Sequence, residues 1–128
     1  MITITADVMY GKFIGRMQWL LVGTYNGFIH VYTYETREIE MVTSFQASTA
    51  SIRLMVIHPT QPYVLSSSED REMKLWKWDV NGRDWKCAQT YDDEHPNAIC
   101  QVTFNPRDAK RFASASRDRT IKVCRLSP

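Results

Sequence analysis

The only residues in this sequence that could assemble a nucleophile are Ser114, His95 and Asp118: a hydroxyl to attack, an imidazole to take its proton, and a carboxylate to orient the imidazole. That chemistry needs the serine on a sharp strand-to-helix turn, and no such turn is signalled around Ser114. Metal chemistry fares no better. His30 sits in an alternating run and His58 precedes Pro59 in a turn, with no third ligand for either. Cys87, Cys100 and Cys124 are odd in number and show no CxxC spacing, so neither a disulfide nor a zinc site is expected. No glycine-rich loop is set up to cradle phosphate. The expectation is a protein that is not an enzyme and takes no cofactor, in which Ser114, His95 and Asp118 have a structural role.

The elements that carry these residues come in repeats. Residues 19–34, 63–78 and 112–126 align with one another, and the turn residues Asn26, Asp70 and Asp118 fall 44 and 48 residues apart. That spacing is close to the roughly 40 to 45 residues of one four-stranded propeller blade. Within each repeat apolar and polar residues alternate, as in Met73 to Trp78, which is the period of a strand with one better-buried face. Turn signals separate the runs: Asn26-Gly27, His58-Pro59, Asn81-Gly82 and Asn105-Pro106. The pattern predicts strands near 8–14, 19–24, 29–34 and 39–45, then 52–57, 63–68, 73–78 and 86–91, then 98–104, 112–116 and 121–126. The expected fold is all-β: a single domain over 1–128, with blade one about 8–45, blade two about 48–91, and blade three about 95–126 lacking its outer strand.

Ser66 to Asp70 with Leu75-Trp76, and Ser114 to Asp118 with Thr120 to Val123, resemble the WD-repeat β-propeller family. The resemblance implies a buried network in each blade, made of a turn Asp, a Ser or Thr four residues before it, an aromatic six residues after it, and a His where the chain enters the blade. Carried onto this sequence, blade three has His95, Ser114 and Asp118 with Cys124 in the aromatic position. Blade two has Ser66, Asp70 and Trp76 with Ser48 in the His position. Blade one departs furthest, with Val22, Asn26 and Tyr32, so no network is complete.

Residues 12–19 (KFIGRMQW), 56–68 (VIHPTQPYVLSSS), 101–106 (QVTFNP) and 112–123 (FASASRDRTIKV) resemble, in order and spacing, the beta-prime subunits of coatomer. This resemblance implies a protein-binding role in vesicle transport between Golgi and endoplasmic reticulum, with other coat subunits or scaffold proteins as partners. It also implies recognition of dilysine cargo tails by acidic residues at the top of the propeller, with basic residues nearby for the terminal carboxylate. Those acidic positions fall on Ala50 and Glu69, and a basic one on Arg53, so Arg53 and Glu69 are the candidate cargo rim and dilysine binding is expected to be weak or lost. A generic WD-repeat scaffold with another partner, and a propeller fragment without function, remain open.

The bulk properties agree with such a module. The chain has 128 residues, 44% of them apolar, and a formal charge of only +2. No apolar run approaches the roughly 20 residues of a membrane helix, and Met1 to Tyr10 lacks the layout of a secretion signal, so a cytoplasmic protein without membrane insertion is expected. Basic residues crowd the segment from Arg107 to Arg125. Strand parity puts Arg117, Arg119 and Arg125 on one face and Lys122 on the other, which argues against a nucleic-acid surface. Three blades do not close a ring, so the outer faces of blades one and three are expected to be apolar and uncovered, with a free edge near Ile121 to Leu126. The alternating start, Met1 to Thr5, could serve as an outer strand.

Overall fold

The computed structural model describes residues 2–91, 95 and 97–126. Blade one is an antiparallel sheet of β1 (Val8–Ile14), β2 (Trp19–Thr24), β3 (Phe28–Thr33) and β4 (Glu40–Gln46), paired in chain order. Blade two repeats the meander with β5 (Ile52–Ile57), β6 (Tyr63–Ser68), β7 (Met73–Trp78) and β8 (Trp85–Tyr91). Blade three contains β9 (Ile99–Phe104), β10 (Arg111–Ser116) and β11 (Ile121–Arg125), a sheet of three strands among the described residues. No strand limit differs from its expected position by more than one residue.

The turn chemistry explains why each second strand hands over to the third at the same point. Backbone N–H groups of Gly27, Arg71 and Arg119 donate to the carbonyls of Thr24, Ser68 and Ser116, at 3.1, 3.0 and 3.2 Å. The donor residue is left-handed each time, with φ of 86°, 71° and 70°. This is a tight turn followed by a residue in the region that glycine favours. Arg71 and Arg119 adopt it at exposed turns, at the local cost that a Cβ carries in this region. Glycine is required at 27, where a Cβ would overlap the Ser48 carbonyl oxygen.

The sheets stack face to face, and the first strands β1, β5 and β9 run side by side around an axial cavity of about 150 Å³ lined by Tyr10, Lys12, Met55 and Gln101. Between blades one and two, Trp19, Leu21, Ile29 and Val31 pack on Ile52, Val64, Trp76, Trp78 and Trp85. Trp19 lies 5.5 Å from Trp78 and 6.0 Å from Trp85, ring centre to ring centre. Between blades two and three, Leu65, Met73, Leu75 and Tyr91 pack on Ile99, Val102, Phe104, Phe112 and Leu126. Each fully buried side chain of this size contributes about 1.5–3 kcal/mol.

Polar contacts chain the lower loops together in the same order. Arg16, in the turn between β1 and β2, donates to the carbonyls of His58, Pro59 and Gln61 at 3.0, 3.2 and 2.8 Å while its guanidinium lies over Trp78. His58 in turn bridges to blade three. Its Nδ1 accepts the N–H groups of Thr60 and Gln61, which leaves the proton on Nε2 to donate to the Ala109 carbonyl at 2.7 Å.

The start of the chain differs from expectation. Ile2 to Thr5 form no strand, and Met1 lies outside the described residues. The segment occupies the place of a connector: Asp7 accepts the Tyr25 N–H at 2.8 Å, as Ser51 accepts from Glu69 and Ala98 from Arg117. In that register Ile4 stands where Ser48 and His95 stand in the other blades, so its alternation belongs to a loop.

Gly27→Ala is expected to lower unfolding stability by at least about 1–2 kcal/mol from left-handed strain alone, with more from the overlap at Ser48. Arg119→Gly, at the equivalent exposed turn, is expected to leave stability unchanged or raise it by up to about 1 kcal/mol. Urea unfolding followed by tryptophan fluorescence reads both, and equal effects would refute the account of the turns.

Candidate functional site

Ser114, His95 and Asp118 do come together. His95 Nε2 lies 2.7 Å from Ser114 Oγ, and Nδ1 lies 3.3 Å from Asp118 Oδ2 and 3.1 Å from Thr120 Oγ1. A carboxylate only accepts, so Nδ1 carries the proton towards Asp118 and Nε2 accepts from the serine hydroxyl. Ser114 and His95 are both buried, so no substrate carbonyl has a path to the hydroxyl. The arrangement ties the chain entering blade three to the middle of β10 and to the β10–β11 turn. Asp118 also receives the Thr120 N–H at 2.8 Å and the Thr120 hydroxyl. The hydroxyl bond from Thr120, with its backbone N–H and His95 assisting, holds the Asp118 carboxyl below the ordinary carboxylate range, against an opposing effect of burial.

Blade two splits the same set of positions into two pieces. Trp76 Nε1 donates to Ser66 Oγ at 3.0 Å, inside the blade. Asp70 meets the Ser68 hydroxyl and the Glu72 N–H in its own turn, and Ser48 reaches it at only 3.4 Å. The serine side chain is too short to span both pieces as His95 does. Blade one keeps the turn alone, where Thr24 bonds Asn26 and takes the Phe28 N–H. Val22 and Tyr32 stand at the places of Ser66 and Trp76, and Val22 has no hydroxyl to accept a bond from the ring, while His30 is stacked beside Phe28, with burial pushing its imidazole pKa down.

Arg53 and Glu69 are joined by a salt bridge of 3.1 Å with both side chains about half exposed. They line a cleft of about 160 Å³ at the top of blades two and three, together with Ser68, Ala98, Ile99 and Arg117. Ala50 does not line it. Arg117 is the residue that sequence reasoning missed, because strand parity was carried across a turn. β10 ends at Ser116 and β11 begins at Ile121, so Arg117 and Arg119 belong to the connection and not to a sheet face. The repeat alignment holds a usable signal, since Tyr25, Glu69 and Arg117 each precede the turn residue and stand at equivalent places on the blade tops. Chemically the cleft offers two guanidiniums and one carboxylate. It can hold a carboxylate by paired N–H donors more readily than it can hold two ammonium groups.

The depressed acidity of Asp118 has a defined sign. Its ordinary value is 3.8 and its folded value lies lower. The charged form therefore stabilises the fold at pH above the ordinary value, and that contribution disappears as pH falls through the folded value. Asp118→Asn is expected to be less stable than the parent at about pH 7, with the gap narrowing towards about pH 3. Urea midpoints across that range measure it, and a gap independent of pH would refute the assigned role.

The comparisons with known proteins follow this geometry. The WD domain, G-beta repeat family matches residues 39–77 and 85–124. Each match begins near the last strand of one blade and ends on the third strand of the next, so the sequence repeat is offset from the sheet by one strand. Homologues include the putative coatomer subunit beta'-3 of Oryza sativa subsp. japonica, 49% identical, and the coatomer subunit beta' of Homo sapiens, 42% identical, each over 84% of this chain. The chain spans only 16% of the length of those relatives. Among solved structures, Saccharomyces cerevisiae Sqt1 superposes with a TM-score of 0.81 at 13% identity, over 96% of this chain and 32% of its own. The computationally designed Ika8 protein gives 0.70 at 18% identity, over 93% and 33%. These two similarities concern the fold. The stacked four-stranded meanders, the repeated turn acids and the family match together show that this chain belongs to the WD-repeat family, as an all-β part-propeller homologous to coatomer beta' subunits.

Proposed function

We propose that residues 1–128 form one non-catalytic, protein-binding WD-repeat unit that acts in vesicle-mediated transport between Golgi and endoplasmic reticulum as part of a coat. The observation that carries this reading is the 42–49% identity with coatomer beta' subunits across 84% of the chain. In this reading other coat subunits are the partners, and the protein lies in the cytoplasm, reaching Golgi or coated-vesicle membranes through them. No helix among the described residues is long and apolar enough to cross a membrane, which is compatible with peripheral attachment.

The cleft bounded by Arg53 and Glu69 is the proposed peptide site, while His95, Ser114, Asp118, Ser66, Asp70 and Trp76 serve the blades internally. Glu69 is the single acid in the cleft, and it is already paired with Arg53. A dilysine tail would have to displace that arginine and would leave its second ammonium without an acceptor, so its binding is weak. A second reading, a WD-repeat scaffold for a different protein, is favoured by Arg117: with Arg53 it makes the cleft net positive and suited to an acidic or carboxylate-ended peptide.

Two measurements on the purified chain separate the readings. Coat subunits are expected to be retained in a pull-down, and titration with a dilysine-ended peptide is expected to show weak binding that falls about tenfold or more in Glu69→Ala, as loss of a charge-assisted hydrogen bond requires. Retention of no coat subunit, with an acidic peptide bound in preference and released by Arg117→Ala, would replace the coat reading with the scaffold reading.

A further inference from the structure

Two Asn-Gly pairs occupy the same place in the same kind of turn. In the β2–β3 turn the Gly27 N–H donates to the Thr24 carbonyl, and in the β7–β8 turn the Gly82 N–H donates to the Asp79 carbonyl, both at 3.1 Å. Both glycines are left-handed, with φ of 86° and 71°. An asparagine followed by glycine is open to attack on its side-chain amide by the next backbone nitrogen, because glycine has no Cβ to block the approach. The Gly nitrogen bonds to the Asn Cγ, the bond from Cγ to the side-chain nitrogen breaks, and the amide proton leaves with the departing ammonia. Water then opens the resulting succinimide at one carbonyl or the other, giving aspartate or an isoaspartyl linkage in which the chain runs through Cβ.

The residue that opens each turn separates the two sites. Thr24 donates its hydroxyl to Asn26 Oδ1, and Thr24 Oγ1 accepts the Phe28 N–H at 3.2 Å. The Gly27 carbonyl is fixed as well, accepting the Ala47 and Ser48 N–H groups at 2.8 and 3.0 Å. Turning the Asn26 amide towards the Gly27 nitrogen would break the bond from Thr24. Asp79 stands in the place of Thr24, and a carboxylate has no proton to donate. Its Oδ1 instead accepts the Arg83 and Asp84 N–H groups at 3.0 and 3.2 Å. The Asn81 side chain is exposed and makes no hydrogen bond among the described residues, so its amide turns freely.

The position of Gly82 makes the change consequential. Gly82 is buried, and a Cβ there would overlap the Trp19 indole across the contact between blades one and two. Its carbonyl accepts the Trp85 Nε1–H at 2.7 Å. Trp19 and Trp85 both belong to the core shared by those blades. An isoaspartyl linkage inserts a methylene into the backbone directly before Gly82, and a close-packed interior is sensitive to a single methylene.

We propose that Asn81 is a site of spontaneous modification, which deamidates in preference to Asn26 and whose isoaspartyl product loosens the contact of Gly82 with Trp19 and Trp85 that joins blade two to blade one.

Ageing the purified chain in mildly alkaline buffer tests this. Peptide mapping by mass spectrometry reads the conversion of amide to acid at each asparagine, and methyl transfer from S-adenosylmethionine by an isoaspartyl methyltransferase measures the isoaspartyl product. Asn81 is expected to convert about tenfold faster than Asn26, since reaction at Asn26 must first break one more hydrogen bond. The isoaspartyl protein is expected to show altered tryptophan fluorescence and a lower urea midpoint. Asn81→Asp carries the acid without the added methylene at an exposed position, and is expected to keep the parent fluorescence and midpoint. Conversion at Asn26 as fast as at Asn81, conversion at neither, or an isoaspartyl protein with the parent signals overturns the proposal. Asn81→Asp shifting both signals as far as the isoaspartyl protein does would assign the effect to charge and overturn it equally.

Discussion

A four-stranded sheet has two sides, and in blade two both are apolar: Val64 and Trp76 look towards blade one, and Leu65, Met73 and Leu75 towards blade three. Neither side can be satisfied by its own blade. Burial of these residues by neighbouring sheets is the constraint on which the rest of the structure depends, as in other repeat architectures where stability is a sum of units and their interfaces. It sets the stacking of the sheets and places β1, β5 and β9 around a common axis.

The polar groups act within the frame that this packing makes. Arg16 and His58 tie successive lower loops through backbone carbonyls, so each loop is held by a side chain of the adjoining one. At the upper ends the turn residues Asn26, Asp70 and Asp118 organise their own turns by accepting hydrogen bonds. Only in blade three does one side chain, His95, connect the turn to the interior of the sheet. A buried polar chain is worth having when every member is satisfied. Blade two meets that requirement by division, pairing Trp76 with Ser66 and leaving Asp70 to its turn.

The cleft at the top of blades two and three is a product of both layers. The stacking brings the Glu69 and Arg117 positions of adjacent blades together, and the bonds from Glu69 to Ser51 and from Arg117 to Ala98 pin the backbone beneath them. Arg53, one residue past the start of β5, then reaches Glu69. Charge balance in the cleft therefore depends on single positions from separate repeats, Arg53 and Glu69 of blade two and Arg117 of blade three.

Strand type and position were legible in the sequence because the alternation of apolar residues and the Asn, Asp, Gly and Pro turn signals are local. The strands were placed within one residue from those signals alone, and the pairing of His95 with Ser114 and Asp118 followed from the repeat and the family resemblance. Ile2 to Thr5 showed the limit of such reasoning: two alternating isoleucines look like a strand, yet hydrogen bonding from Tyr25 to Asp7 makes the segment a connector. Arg117 showed another, since parity counted along a strand loses its meaning once the chain turns. Which residues of adjacent blades meet in each core and which charged residues share a cleft were decided by tertiary structure, because each depends on contacts between positions about 45 residues apart that no local pattern encodes.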